Sequence, residues 1–140
     1  MSNAGIQTLS DVEFGAELPA FEPDVSQANV KRFAVAAHWD FPRFTSHEHA
    51  RAEGFPAALV PGIMSQGFFA AMIHRWAAAA EVLTVDTIFR APVLVDEPCA
   101  ISGVVTDIDD DTGVVEIDLT LVNEKRETRV FGTARVRLPL

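Results

Sequence analysis

The feature that most constrains this chain is an apolar segment over residues 63–80, followed by segments in which apolar residues recur with a period of two. Drawn as a helix, the first segment carries large apolar side chains around most of its circumference: Ile63, Met64, Phe68, Phe69, Met72, Ile73 and Trp76. A helix that is apolar nearly all round is normally buried inside a protein. At the usual rise per residue it would be about 27 Å long, which matches the width of a curved sheet.

The second half of the chain has the pattern of antiparallel strands. Residues 82–90, 100–108, 114–122 and 128–138 are rich in Val, Ile and Thr, and alternation within 114–122 indicates one buried face. Residues 109–113 and 123–126 have the composition of hairpin turns, so the strands that they join are predicted to be antiparallel neighbours. A buried helix and an antiparallel sheet that curls around it predict an α+β fold.

The first sixty residues predict less regular structure. Residues 5–25 are predicted to form an irregular lead-in, and Ser26 to cap a helix over 27–37. Pro42 interrupts the helical pattern, and a short helix is expected over 46–53, capped by Ser46 and ended by Gly54.

Length and composition narrow the class of protein. The 140 residues fit one domain over 1–140, and residues 2–4 resemble a cloning scar that is left out of the fold prediction. The lone Cys99 forms no internal disulfide, which favours a reducing, cytoplasmic setting. No apolar run reaches the roughly 18 residues of a membrane span. The net charge of -9 argues against nucleic-acid binding, and any phosphate on a ligand would need a local basic site.

Five segments occur in the order found in MaoC-like dehydratases, which include (R)-specific enoyl-CoA hydratases, and the chain resembles that family from about Gly15 to Leu138. The segments are GAELP at 15–19, the stretch 26–33, AEGF at 52–55, PGIM at 61–64 and FRAPV at 89–93. The resemblance implies a hotdog fold, in which an antiparallel sheet wraps a long helix. It also implies a pair of hotdogs, as a homodimer or a heteromer, that holds an acyl thioester of CoA or acyl carrier protein at its seam, without a cofactor.

Hydration of a thioester-conjugated double bond needs an acid–base pair and a donor to the developing oxyanion. In the family the pair is an Asp and a His spaced as Asp-x-Asn-Pro-x-His, and the donor is a backbone N–H at the start of the central helix. Gly62 stands where the family's glycine opens that helix, but the preceding residue is Pro61 instead of the usual His. Asp40 or Trp39 occupies the position of the Asp, depending on the alignment, and in both alignments Phe44 replaces the catalytic His.

Three hypotheses follow from the missing His. In the leading one the chain is a hydro-lyase of fatty acid metabolism, an enoyl-CoA hydratase or 3-hydroxyacyl-CoA dehydratase, with Asp40 as carboxylate, the Gly62 N–H as oxyanion donor and His47 or His38 as substitute base. In the second it binds an acyl thioester without hydrating it. In the third it is the non-catalytic half of a heteromeric hydratase. A thioesterase is disfavoured because residues 62–80 contain no carboxylate.

Other residues have competing structural and functional interpretations. Arg43, Phe44, Pro61, Ser65 and Arg90 are predicted to contact substrate. Arg90 would meet a CoA phosphate or form a surface salt bridge, and Ser65 would orient a pocket carboxylate or fill helix surface. Asp40 would equally suit a turn, and His47 and His49 a solvated helix. A metal pair at His47 and His49 is not predicted, because that spacing directs the two side chains to different helix faces.

Overall fold

The computed structural model describes residues 5–140, so residues 2–4 lie outside the described part of the chain. Its helices are α1 (Gln27–Ala36), α2 (Pro42–Thr45), α3 (His47–Ala52) and α4 (Gly62–Trp76). Its strands are β1 (Glu81–Phe89), β2 (Cys99–Ile108), β3 (Val114–Asn123) and β4 (Thr128–Arg137). The predicted α+β fold with one antiparallel sheet is confirmed. None of the helices in this part of the chain has the length and apolar content needed to cross a bilayer.

The helices begin where the sequence places their caps. The Ser26 hydroxyl accepts a hydrogen bond from the Asn29 N–H, and the Ser46 hydroxyl accepts one from the His49 N–H. Pro42 does interrupt the preceding helical pattern, but it also opens the four-residue helix α2 at a position where its missing N–H costs nothing.

The central helix α4 is shorter than the prediction of 63–80. It ends at Trp76, and the Trp76 carbonyl accepts a hydrogen bond from the N–H of Ile6 in the lead-in. The sequence pattern predicted a longer helix because residues 77–80 are all alanine, which favours helices. In the structure Ala77 and Ala80 are buried outside it, in the turn into β1.

The sheet has the order β1-β4-β3-β2. Both predicted hairpins are confirmed, because β2 pairs with β3 and β3 with β4, all antiparallel. β1 pairs with β4 instead of β2, so the chain crosses from one edge of the sheet to the other between Phe89 and Cys99. The lead-in is less irregular than predicted, since Glu17 and Phe21 form single bridges to β2.

One side of α4 packs on the inner face of this sheet. Phe69, Met72 and Ile73 are buried in a core with Leu119 and Val130. At one edge the Gln66 amide donates to the Thr87 hydroxyl of β1 at 3.0 Å. At the other edge Met72 lies so close to Gly103 of β2 that a Cβ there would approach the Met72 methyl to 3.1 Å. The sheet therefore spans the helix from edge to edge.

The all-round apolar pattern predicted that every side of α4 would be buried, but the side opposite the sheet is exposed in the described chain. Ile63 is 41% exposed, and Gly67 and Ala71 are exposed as well. These positions share one face because they lie four residues apart. The described chain therefore leaves an apolar stripe of α4 next to the edge strand β1.

A hydrogen-bonded cluster around Asp96 holds the segment that leads into α4. The Asp96 carboxylate accepts from the Gln27 N–H at 2.9 Å and lies 2.8 Å from His47 Nε2. The Ala58 N–H donates to His47 Nδ1 at 3.1 Å. Because Nδ1 accepts, the proton of the neutral ring is on Nε2, which donates to Asp96. Residues 58–60 pair by backbone hydrogen bonds with residues 93–95, so this cluster fixes the approach to Gly62.

The cluster predicts an acid-dependent loss of stability. The hydrogen bond from His47 first, and then the one from the Gln27 N–H, lower the pKa of Asp96 below its usual 3.8. Asp96 therefore stabilises the fold above about pH 4, and this contribution is lost as the pH falls through its lowered pKa. Because the carboxylate is half exposed, we expect Asp96→Asn to lower the free energy of unfolding by only about 1 kcal/mol at neutral pH.

Urea unfolding of both proteins between about pH 7 and pH 3 measures this difference, which should shrink toward the acid end. Asp110→Asn is the matched control, since Asp110 lies in an exposed turn, and it should unfold like the wild type at each pH. A difference for Asp96→Asn that stayed constant down to the lowest pH would contradict the assignment.

Candidate functional site

A groove lies at the amino end of α4, where the sequence predicted a thioester slot. We call it the helix-start groove. Its volume is about 370 Å³, and it is lined by Phe44, Leu59, Val60, Gly62, Phe89, Arg90, Ala91, Pro92 and Val93. Pro61 caps the helix, and its carbonyl accepts from the N–H groups of Met64 and Ser65. The N–H groups of Gly62 and Ile63 precede the first hydrogen bond within the helix, so they remain for a ligand. They also lie at the positive end of the helix dipole.

Phe89 explains why the first helical residue is a glycine. A Cβ on Gly62 would lie 3.1 Å from the Phe89 ring, which is closer than ordinary van der Waals contact. The absence of a side chain lets the last residue of β1 pack directly on the helix start. Phe89 nevertheless stays 47% exposed. One wall of the groove is therefore an aromatic ring at the open edge of the sheet.

Arg90 supplies the only charged side chain of the lining. Its own N–H donates to the Arg129 carbonyl, and Arg129 Nε donates to the Pro92 carbonyl, so two arginines lie together beside the groove. Within residues 5–140 Arg90 forms no ion pair. In a chain of net charge -9, this is a local basic site of the kind that a phosphate would need.

A second hollow adjoins the groove on the far side of Phe44. We call it the aromatic cleft. Its volume is about 470 Å³, and it is lined by Trp39, Phe41, Pro42, Arg43, Phe44, His49 and Glu53. The rings of Trp39 and Phe44 are stacked with centroids 6.1 Å apart, and Phe41 meets Phe44 edge-on at 6.3 Å. Phe44 is common to both linings, so the two spaces are neighbours that meet at this residue.

The charged groups of the aromatic cleft neutralise one another. Glu53 Oε1 lies 3.2 Å from Arg43 Nε, and Glu53 Oε2 lies 3.3 Å from His49 Nε2. This cluster was missed in the sequence analysis, although His49 and Glu53 stand four residues apart, a spacing that brings side chains together along a helix.

The structure gathers some predicted site residues and separates others. Gly62, Phe44 and Arg90 line the helix-start groove, and Arg43 lines the aromatic cleft. Pro61 is buried and serves as the helix cap. Ser65 is also buried, and its hydroxyl is without a hydrogen-bond partner in the described chain.

The predicted acid–base residues lie outside both linings. Asp40 is exposed in the loop between α1 and α2, and His38 is exposed there with a positive φ of 58°. His47 has both ring nitrogens engaged, one by Asp96 and the other by the Ala58 N–H. These positions give the predicted catalytic set no shared site with the Gly62 N–H, so its role stays a prediction.

The described residues offer no clustered metal ligands, and Cys99 is buried. Residues 5–140 contain no cluster of three or more His, Cys, Asp or Glu side chains placed to hold a metal ion. Burial raises the pKa of the Cys99 thiol to about 11, with Glu97 and Glu22 adding to the effect. The thiol is therefore protonated and unreactive at neutral pH.

Comparison with known proteins rests on structure, since no protein-family model and no curated protein sequence matches this chain. An (R)-hydratase from A. caviae, involved in PHA biosynthesis, superposes with a TM-score of 0.86 at 20% identity, covering 91% of this chain and 98% of that chain. The ChsH1–ChsH2 complex from Mycobacterium tuberculosis gives a TM-score of 0.82 at 19% identity, covering 90% and 98%.

A MaoC-like dehydratase gives a TM-score of 0.86 at 22% identity. It covers 97% of this chain, which spans 43% of that longer protein. The sheet order and the central helix of this chain are consistent with these superpositions. The chain has the hotdog fold of the MaoC-like dehydratases and (R)-hydratases.

Proposed function

We propose that this chain is the acyl-thioester-binding subunit of a hydratase or dehydratase, and that a second hotdog chain supplies the acid and the base. The observation that carries this proposal is the lining of the helix-start groove. It combines Gly62, the first residue of the helix, with seven other uncharged residues and one arginine. None of its side chains is a carboxylate, an imidazole or a thiol.

The groove suits a thioester for three reasons. The carbonyl oxygen of a thioester is an acceptor that the Gly62 and Ile63 N–H groups would satisfy at the positive end of the helix. The apolar walls would displace water from a bound thioester, which would strengthen that interaction. Arg90 at the mouth of the groove would pair with a phosphate of CoA or of a phosphopantetheine carrier.

A second chain has an evident place to bind. β1 pairs with β4 on one side only, so within the described chain its other edge is open. Open edges are templates for pairing with another strand. Beside this edge lie the exposed α4 residues Ile63, Gly67 and Ala71. Phe89 belongs to the edge strand and to the groove wall, so a chain paired there would reach the reacting atoms.

The single observation that favours a different function is the His49–Glu53 pair. A carboxylate that orients an imidazole is a common general-base arrangement, and this pair lines the aromatic cleft across the Phe44 ring from the groove. The second candidate is therefore a hydratase that works alone with His49 as base. Loss of ultraviolet absorbance by crotonyl-CoA separates the candidates. Hydration by the pure chain that His49→Gln abolishes would support the second and contradict the first.

The binding role predicts a specific effect at Arg90. We expect butyryl-CoA, which has no double bond to hydrate, to bind the pure chain in calorimetry. Arg90→Gln should weaken this binding about fivefold at low salt, because a solvent-exposed charge pair contributes about 1 kcal/mol. The effect should fade at high salt.

S-butyryl-pantetheine lacks the phosphates, so the same variant should bind it as the wild type does. Arg135→Gln, on an exposed arginine of β4, is the matched control and should bind butyryl-CoA normally. Absence of butyryl-CoA binding to the wild type up to millimolar concentration would refute the proposal.

The pairing surface predicts an effect on oligomeric state. Ile63→Glu places a charge on the exposed stripe of α4, and we expect it to dissociate a complex that the wild type forms in sedimentation velocity. Val35→Glu changes an apolar residue of α1 that is 53% exposed, and it should leave the complex intact. Equal sedimentation of the two variants would place the pairing surface elsewhere.

A further inference from the structure

The aromatic cleft leaves large aromatic side chains exposed to solvent, where most folded proteins would bury them. Trp39 is 37% and Phe41 is 56% exposed, although both rings lie against Phe44. Contiguous apolar surface of this kind on a soluble protein marks a binding site more often than chance exposure does. Rigid rings also lose little entropy when they contact a ligand.

The polar groups at the rim indicate what kind of ligand the cleft would take. Both carboxylate oxygens of Glu53 are engaged, one by Arg43 and the other by His49. Arg43 therefore already has an anionic partner in Glu53 and does not call for a second anion. The remaining wall is Trp39, Phe41, Pro42 and the face of Phe44, so the cleft favours an apolar ligand.

The two spaces meet at one residue. Phe44 belongs to the lining of the aromatic cleft and to that of the helix-start groove. The groove contributes the basic Arg90 and the N–H of Gly62, and the adjoining cleft contributes the aromatic rings of Trp39 and Phe41. An acyl thioester has the same order of chemistry, with carrier phosphate, thioester carbonyl and hydrocarbon tail.

We infer that the aromatic cleft receives the hydrocarbon tail of the acyl chain, and that Phe44 is the residue that sets which chain lengths reach it. This inference rests on the proposed function, because it requires the thioester to lie in the helix-start groove. Short acyl chains would end at the Phe44 ring. Longer ones would pass it and bury the rings of Trp39 and Phe41.

Calorimetry with saturated acyl-CoA esters of four to twelve carbons tests this inference. Once the tail passes Phe44, the dissociation constant should fall by up to roughly fourfold for each added methylene, the value for complete burial of a CH₂ group. Phe41→Ser should remove at least about tenfold of the gain for the twelve-carbon ester while leaving the four-carbon ester unaffected, because Phe41 lines only the cleft.

Phe14→Ser is the matched control. Phe14 is 74% exposed and lines neither space, so its loss should change neither affinity. Both phenylalanines are exposed, so thermal unfolding should show both variants folded. A Phe41→Ser protein that bound the twelve-carbon ester as tightly as the wild type would overturn the inference.

The emission of Trp39 gives an independent readout, since the other tryptophan, Trp76, is buried at the end of α4. Dodecanoyl-CoA should change the emission, butyryl-CoA and free CoA should not, and Trp39→Phe should abolish the response. A change caused by free CoA would place the nucleotide in the cleft and overturn the inference.

The two proposals fail in different ways. If butyryl-CoA binds and longer esters bind no tighter, the cleft assignment is wrong and the thioester assignment stands. If no ester binds at all, the proposed function fails, and the inference fails with it.

Discussion

The burial of one side of α4 against the sheet is the constraint on which the rest of the structure depends. Phe69 and Ile73 are completely buried there, and each such side chain contributes about 2 kcal/mol. A helix is rigid, so these contacts in its middle also position its first turn. Gly62 lines the groove and has no side chain to anchor it. Its position is held by core residues two and three turns away and by the Phe89 ring, which packs on its backbone. The segment before it is fixed separately, through His47 and Asp96.

The same cluster explains why His47 suits a structural role better than a catalytic one. A general base must accept a proton at a free nitrogen. His47 Nδ1 already accepts from the Ala58 N–H, and protonating it would turn that hydrogen bond into a contact between two donors. Its other nitrogen faces Asp96, away from both hollows. In the family that this sequence resembles, this region supplies the acid and the base. Here its residues form the His47–Asp96 cluster, the aromatic lining around Phe44 and the exposed loop that carries Asp40.

Much of the fold could be predicted from the sequence because its signals are local. The caps at Ser26 and Ser46, the two hairpin turns and the period of each strand depend on neighbouring residues. The pairing of β1 with β4 could not be derived this way, since a long crossing between strands carries no register signal. In the helix-start groove, Gly62 and Arg90 were predicted because they lie in segments with a family resemblance, and Phe44 because it aligns with the family's catalytic His. The placement of Asp40 and His47 depends on the direction of side chains in loops, which residue spacing does not determine.

A groove with free amides and no proton acceptor is a coherent half of a hydration site. Apolar walls and a helix start strengthen the hold on a thioester oxygen, because low polarity magnifies the interaction between the oxygen and the helix dipole. The same walls disfavour the ionised groups that would activate water, since charges are costly to bury there. An apolar wall that strengthens the oxyanion donors therefore weakens any ionised acid or base placed in the same wall. In the arrangement that we propose, a second chain at the open edge of β1 would avoid this conflict, because its acid and base would approach the groove beside Phe89 while the thioester oxygen lies against the apolar walls.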